Sequence, residues 1–236
     1  RKVQILWKKT FWNASGYSGW ASFDWPLVVD LNNDGILEIV KYGQDSIYIY
    51  SYDGKILKRI PKMGGIYHET FLFGDYDSDG ANEILFSKGG AIIFVDSRTF
   101  NIERIFNITF NSSHDRSDAL VAGDFDGDKK LELAVEFMDA GLFIADPVEN
   151  WTRFLGYHYN ECNLDHVEVY PVDADEDGID ELFFVSPSSS CVGLIDAYGN
   201  VWWHRIIPKP KIPGASRDLP APSHAKLGDF DRDGAV

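Results

Sequence analysis

The sequence predicts an all-β chain, a β-propeller of four-stranded antiparallel blades, and three observations predict it. One short acidic motif recurs five times. The first aspartates of its copies, Asp30, Asp75, Asp124, Asp173 and Asp229, lie 45, 49, 49 and 56 residues apart, close to the roughly 40–50 residues of a four-stranded propeller blade. Between copies the chain runs through short β-rich segments broken by turn residues, and no segment carries a 3.6-residue apolar stripe with caps.

The strands of one period can be read in order. An apolar run precedes the motif, as in Leu27-Val28-Val29 and Leu120-Val121-Ala122-Gly123. A second run follows it: Glu38-Ile39-Val40, Ile84-Leu85-Phe86, Leu133-Ala134-Val135 and Leu182-Phe183-Phe184-Val185. The third is Ile47–Tyr50, Ala91–Val95, Leu142–Ile144 or Val192–Ile195. Turn residues such as Asp53-Gly54 and Tyr198-Gly199-Asn200 then lead into a fourth, such as Ile56–Ile60 or Val201–Ile206. The blades so predicted span 22–62, 67–110, 116–157 and 166–208, with part-blades at 1–12 and 222–236. Part-blades leave unpaired strand edges. Either the two ends pair across the ring or the chain is a fragment of a six- to eight-bladed propeller, and the stop at Val236 inside the fifth motif favours the fragment.

The motif reads Asp-x-Asp/Asn-x-Asp-Gly-x-x-Glu. Its candidate ligands are Asp30, Asn32, Asp34, Ile36 and Glu38; Asp75, Asp77, Asp79, Ala81 and Glu83; Asp124, Asp126, Asp128, Lys130 and Glu132; Asp173, Asp175, Asp177, Ile179 and Glu181; and the incomplete Asp229, Asp231 and Asp233. Calcium takes six to eight oxygens from carboxylates, carbonyls and water. Side chains at positions 1, 3 and 5 of a tight loop can converge, position 7 offers its carbonyl, and position 9 closes the site. Glycine at position 6 permits the positive φ of the turn. An EF-hand would need an acid at position 12, where the first loop has Lys41, and helices on both sides, so that reading is rejected. Without metal the clustered carboxylates would repel one another. One structural Ca2+ per complete blade is therefore expected. The third loop departs from the pattern because Lys129 replaces glycine, and a non-glycine residue in the left-handed region costs about 1–2 kcal/mol.

These loops, with Phe73-Gly74-Asp75 and the Gly-Asp-Phe-Asp runs at 123–126 and 228–231, resemble the FG-GAP or VCBS repeat family. The resemblance implies a calcium-bearing β-propeller of the kind found in integrin α heads, extracellular adhesion proteins and polysaccharide-acting enzymes. It implies a fold and a metal more than an activity, since one fold hosts many functions.

Composition agrees with a folded protein: 44% of residues are hydrophobic and 14% aromatic, at a mean hydropathy of −0.21. No apolar run approaches the roughly 20 residues of a membrane helix. A formal charge of −15 argues against a nucleic-acid partner. At the ligand positions, three acids in the first and fifth loops and four in each of the others make 18 of the 37, and five calcium ions would leave −5. Four Asn-x-Ser/Thr sequons, at Asn13, Asn107, Asn111 and Asn150, exceed the one or so expected by chance and point to a glycosylated, secreted or cell-surface protein. The start at Arg1 is compatible with a processed or an excised chain. With the loops joining strands one and two, Cys162 in an interblade link and Cys191 between strands two and three fall on one face, where a disulfide is geometrically possible.

On the face opposite the loops, Asp24, His68, Glu69, Asp118, His166 and His224 align at or near six and seven residues before each first aspartate. They could form a ligand rim at a central channel, or be solvated residues that open inner strands. His114, His158 and His204 read as surface or packing residues. Trp12, Tyr17, Trp20 and Trp25 could stack on a sugar or pack between blades. No nucleophile motif, phosphate loop or zinc spacing appears. The favoured function is a noncatalytic module for adhesion, recognition or assembly, with an extracellular protein, a glycan or a copy of itself as partner. The alternative is the propeller domain of a polysaccharide lyase or hydrolase.

Overall fold

In the computed structural model, which describes residues 26–43, 46–61, 71–88, 90–110, 117–164 and 167–208, the β-rich runs become eighteen strands, and no helix occurs among the described residues. The first sheet holds β1 (Leu27–Val29), β2 (Glu38–Tyr42), β3 (Ser46–Tyr50) and β4 (Ile56–Pro61). The second holds β5 (Leu72–Gly74), β6 (Glu83–Lys88), β7 (Ala91–Asp96) and β8 (Ile102–Asn107). The third holds β9 (Ser117–Gly123), β10 (Glu132–Phe137), β11 (Gly141–Asp146) and β12 (Trp151–Gly156). A two-stranded hairpin, β13 (His158–Tyr159) with β14 (Cys162–Asn163), precedes the fourth sheet of β15 (Glu168–Val172), β16 (Glu181–Ser186), β17 (Cys191–Ile195) and β18 (Val201–Ile206). Each large sheet is antiparallel and follows chain order, so every strand pairs with its sequence neighbour. Both the all-β class and the four-stranded antiparallel unit are as the sequence predicts.

The sheets pack face to face through three apolar clusters, each drawn mainly from two successive sheets. Val40, Ile47 and Ile49 of the first meet Ile84, Phe86 and Ile93 of the second. On its other face the second sends Leu85, Ile92 and Phe94 against Leu133, Val135 and Phe143 of the third. Ala134, Leu142 and Ile144 of the third meet Leu182, Phe184 and Ile195 of the fourth. Period-2 alternation explains this, because successive side chains of one strand point to opposite faces. The two middle sheets are covered on both faces, so β6, β7, β10 and β11 are buried at every position. Strand β2, in a sheet at the end of the described stack, keeps the alternating pattern of a sheet covered more heavily on one side.

Outer strands add polar ties between sheets. Lys58 Nζ of β4 donates to Asn101 Oδ1 at 3.1 Å, Arg104 of β8 donates to the Pro147 carbonyl, and Arg153 Nη1 of β12 donates to the Ala197 carbonyl at 2.8 Å. All three cations are the third residue of a fourth strand. The same place in β18 is Trp203, which is 40% exposed. Cys162 of β14 and Cys191 of β17 form the expected disulfide across a Cα–Cα distance of 5.5 Å, and both are buried. Cys191 is the first residue of β17 and does not lie in the turn before it. The β13–β14 hairpin was not foreseen; its two-residue strands carry too few residues for a period-2 signal.

Candidate metal sites

All four complete copies of the motif occupy one topological place, the connection from the first to the second strand of a sheet. The ninth-position glutamate is in each case the first residue of the second strand. Glu38 pairs with Val29, Glu83 with Gly74, Glu132 with Gly123 and Glu181 with Val172. This placement turns the carboxylate back under its own loop. It accepts the backbone N–H of the second loop residue every time: Leu31 to Glu38 at 2.9 Å, Tyr76 to Glu83 at 2.9 Å, Phe125 to Glu132 at 2.7 Å and Ala174 to Glu181 at 2.9 Å. All four glutamates are at most 3% exposed.

The aspartates shape the loop by the same logic. The first accepts the N–H of position 6, from Gly35 to Asp30 at 2.7 Å, Gly80 to Asp75 at 3.0 Å, Lys129 to Asp124 at 2.9 Å and Gly178 to Asp173 at 3.0 Å. The fifth accepts the N–H of position 7, where Ile36, Ala81, Lys130 and Ile179 stand, at 2.7–2.8 Å. The third accepts the N–H of position 5, with Asn32 doing so at 2.9 Å in the first loop and Asp77, Asp126 and Asp175 at 3.1–3.3 Å in the others. Short side chains that bond their own backbone two to five residues on are what make such tight turns.

The turn needs two left-handed residues, and only one was anticipated. Position 6 has φ of 85°, 86°, 69° and 87° at Gly35, Gly80, Lys129 and Gly178, while position 4 has 59°, 61°, 84° and 62° at Asn33, Ser78, Gly127 and Glu176. Every loop therefore holds one glycine and one non-glycine residue in this region. The third loop has only exchanged them, with Gly127 early and Lys129 late. It keeps the bonds just described, while Asp124 Oδ1 accepts the Gly127 N–H at 2.7 Å where Asp30 and Asp173 accept the N–H of position 5 at 3.0 Å, and the strain at Lys129 is offset by relief at Gly127.

Carboxylate oxygens converge in three of the loops. One carboxylate oxygen each of Asp75, Asp77, Asp79 and Glu83 lies within 4.8 Å of the rest, as do those of Asp124, Asp126 and Glu132 and those of Asp173, Asp175 and Glu181. In the second loop Glu83 is fully buried, and while one of its oxygens holds Tyr76, the other, Oε1, meets no hydrogen-bond donor. A buried carboxylate oxygen without a donor is costly unless a cation satisfies it. The all-oxygen donor set and this orphaned oxygen fit a hard divalent cation. The first-loop acids Asp30, Asp34 and Glu38 are not gathered in this way, and Asn32 stands there where the other loops have Asp.

Burial, followed by the neighbouring aspartates, drives Glu83, Glu132 and Glu181 upward. Glu83 and Glu132 both rise from the ordinary 4.5 to about 7, against the lowering effect of the Tyr76 and Phe125 N–H bonds. Glu181 shifts the same way, mainly by burial. Asp128 of the third loop is instead lowered by Lys130, whose Nζ stands 2.6 Å from its Oδ2. This ammonium competes with any cation for that carboxylate.

A second repeat escaped the sequence reading. Asp96, Asp146 and Asp196, 50 residues apart, stand at the third-to-fourth strand turns, at the same end of the sheets as the loops. Each caps its turn: Asp96 accepts Thr99 N–H at 2.6 Å, Asp146 accepts Val148 N–H at 2.6 Å and Asp196 accepts Asn200 N–H at 2.8 Å. Asp146 and Glu149 also bring oxygens within 4.8 Å of Asp126. The equal spacing was the available signal.

The fifth motif (Asp229, Asp231, Asp233), the rim candidates Asp24, His68, Glu69, His166 and His224, and the sequons at Asn13 and Asn111 lie outside the described residues, as do Trp12, Tyr17, Trp20, Trp25 and His114. Asp118 falls within β9. Asn107 ends β8 and Asn150 precedes β12, both exposed. His158 is in β13, and His204 of β18 packs edge-on against Tyr159, with ring centroids 5.4 Å apart.

No protein family and no curated protein matches the chain. Among solved structures it is similar to the V. cholerae biofilm matrix protein Bap1, with 22% identity and a TM-score of 0.57 over 77% of this chain and 28% of that one. It is also similar to a chain of the BBS1N complex with ARL6DN, with 11% identity and a TM-score of 0.53 over 84% of this chain and 61% of that one. At such identities the likeness is one of fold. The chain spans under two thirds of either protein's length.

Proposed function

We propose that the chain is part of a secreted or cell-surface β-propeller stabilised by structural calcium, acting as a noncatalytic module for adhesion, recognition or assembly. The observation that carries this reading is the ninth-position glutamate. In all four described loops it is buried and bonded to its own loop's backbone. A cation gathered there would lock a first strand to a second strand, which is scaffolding and not an open coordination site for substrate. The stacking of successive four-stranded sheets supports the propeller arrangement, and the disulfide with exposed Asn107 and Asn150 supports export. The likeness to a protein whose name places it in a biofilm matrix agrees with an extracellular assembly role.

Each calcium site filled at 100 times its dissociation constant would add about 2.7 kcal/mol, so four would add roughly 11 kcal/mol. Thermal unfolding with calcium and after exhaustive chelation, with bound metal counted in parallel, tests the metal: a large drop and about one ion per complete loop is expected. An unchanged melting point without bound calcium refutes it. Incubation of the full-length protein with acidic and neutral polysaccharides tests the noncatalytic half, since release of unsaturated or shortened oligosaccharides would replace it with the enzyme reading.

A further inference from the structure

We infer that the third and fourth loops form a coupled pair in which Asp180 links cation binding in one to cation binding in the other; this rests on the cation-binding reading of the loops. Asp180 is the eighth residue of the fourth loop, between Ile179 and the ligand Glu181. Its N–H donates to the Asp124 carbonyl at 2.7 Å, and its Oδ2 accepts the Asp124 N–H at 2.9 Å. Both main-chain polar groups of the first ligand of the third loop are thus held by a residue of the fourth, 56 positions on and in another sheet.

The fit is built for this approach. A Cβ on Gly123 would stand 2.7 Å from Asp180 Oδ2 and 2.9 Å from Pro171 Cβ, so only glycine lets the two loops close. A Cβ on Gly127 would lie 3.1 Å from Ile179 Cγ1, a second place where the loops meet. The eighth residues of the other loops are Leu37, Asn82 and Leu131, without a carboxylate. The backbone carbonyl of Asn82 accepts Ser97 N–H, within its own sheet, at 3.1 Å. Among the described residues, loops three and four are the pair joined by a reciprocal bond.

A cation drawing Asp173, Asp175 and Glu181 together fixes the backbone on either side of Asp180. That fixes where Asp180 holds Asp124, and so presets the neighbouring site. By linkage the effect must be equal in both directions.

Hydrogen exchange read by mass spectrometry, with free calcium raised over the chelated full chain, gives a midpoint of protection for each loop. Asp175→Ala, which disables the fourth loop, is expected to raise the third-loop midpoint at least five-fold and leave the first-loop midpoint unchanged. Asp126→Ala should raise the fourth-loop midpoint by the same factor. Asp180→Ala should abolish both cross-effects, and Asp180→Asn, which keeps the acceptor, should retain them. Protection of β10 and β16 reports folding, and Asp175→Asn replaces Asp175→Ala if that variant unfolds. A third-loop midpoint indifferent to the fourth loop, or a cross-effect that survives Asp180→Ala, overturns the coupling while leaving calcium binding intact. If no loop gains protection with calcium, the cation reading itself falls, and the coupling with it.

Discussion

The carboxylate of Glu83 accepts the backbone N–H of Tyr76 at 2.9 Å, while its second oxygen is buried without a donor. One side chain thus closes the second loop and leaves a charge facing Asp75, Asp77 and Asp79. That division of labour separates what a neutral substitute can replace from what it cannot.

Glu83→Gln keeps an acceptor for Tyr76 and removes the buried charge. In chelator at pH 8 the variant is expected to be more stable than the parent by about 1–3 kcal/mol, because ionising a carboxyl whose pKa stands near 7 no longer opposes folding. In calcium this advantage should be cancelled or reversed, since the site loses an anionic ligand and with it roughly 2.7 kcal/mol of saturating stabilisation. Paired melting curves of both proteins in the two buffers check this, and a parallel shift in both would contradict it.

Stability of the chelated protein should fall as pH rises. Glu83 and Glu132 are raised in the folded chain from 4.5 to about 7. The folded state therefore binds more protons than the unfolded one between these values, and unfolding free energy declines across that window. The stabilisation is full below about pH 4.5 and gone above about pH 7. Saturating calcium should flatten or invert the slope. Urea midpoints at pH 5, 6, 7 and 8, with and without calcium, read it directly.

In the third loop, Lys130→Ala frees Asp128 from its ion pair and should tighten calcium binding there several-fold, with little change in stability because water screens an exposed pair. Lys129→Gly relieves a residue at φ 69° and should stabilise the fold by about 1 kcal/mol. Calorimetric titration and chemical denaturation separate the two effects.

Arg153 is held between two rings, 5.0 Å from the centroid of Trp151 and 4.6 Å from that of Tyr198, and also donates to the Ala197 carbonyl. It ties the third sheet to the fourth. Arg153→Ala should cost about 1–2 kcal/mol, and Arg153→Lys should recover little of it because an ammonium cannot stack as a planar guanidinium does. Equal stability of the lysine variant and the parent would show that charge alone suffices.

Near-neighbour chemistry was plain in the chain. The period of the acidic motif located the loops. Apolar and β-rich runs bounded by turn residues located β1, β2, β3, β4 and their counterparts, and glutamate at position 9 emerged as a buried residue that closes each described loop. The expectation at Lys129 was incomplete, because position 4 also turns left-handed and Gly127 had taken over the relief there.

What the sequence by itself determined is the strand order, the four-stranded unit and the identity of every loop acid, since these follow from local propensities, spacings within one loop and the 45–56-residue period of the motif. Tertiary structure alone decided that Asp180 reaches Asp124, that Lys130 occupies Asp128, that Arg153 lies between Trp151 and Tyr198, and how deeply the glutamates are buried. The contacts of Asp180 with Asp124 and of Arg153 with Tyr198 and Ala197 join residues more than 40 positions apart, and burial is set by the neighbouring sheet. The choice of Lys130 for Asp128 over water depends on the folded course of one loop. None of these quantities is carried by a local period.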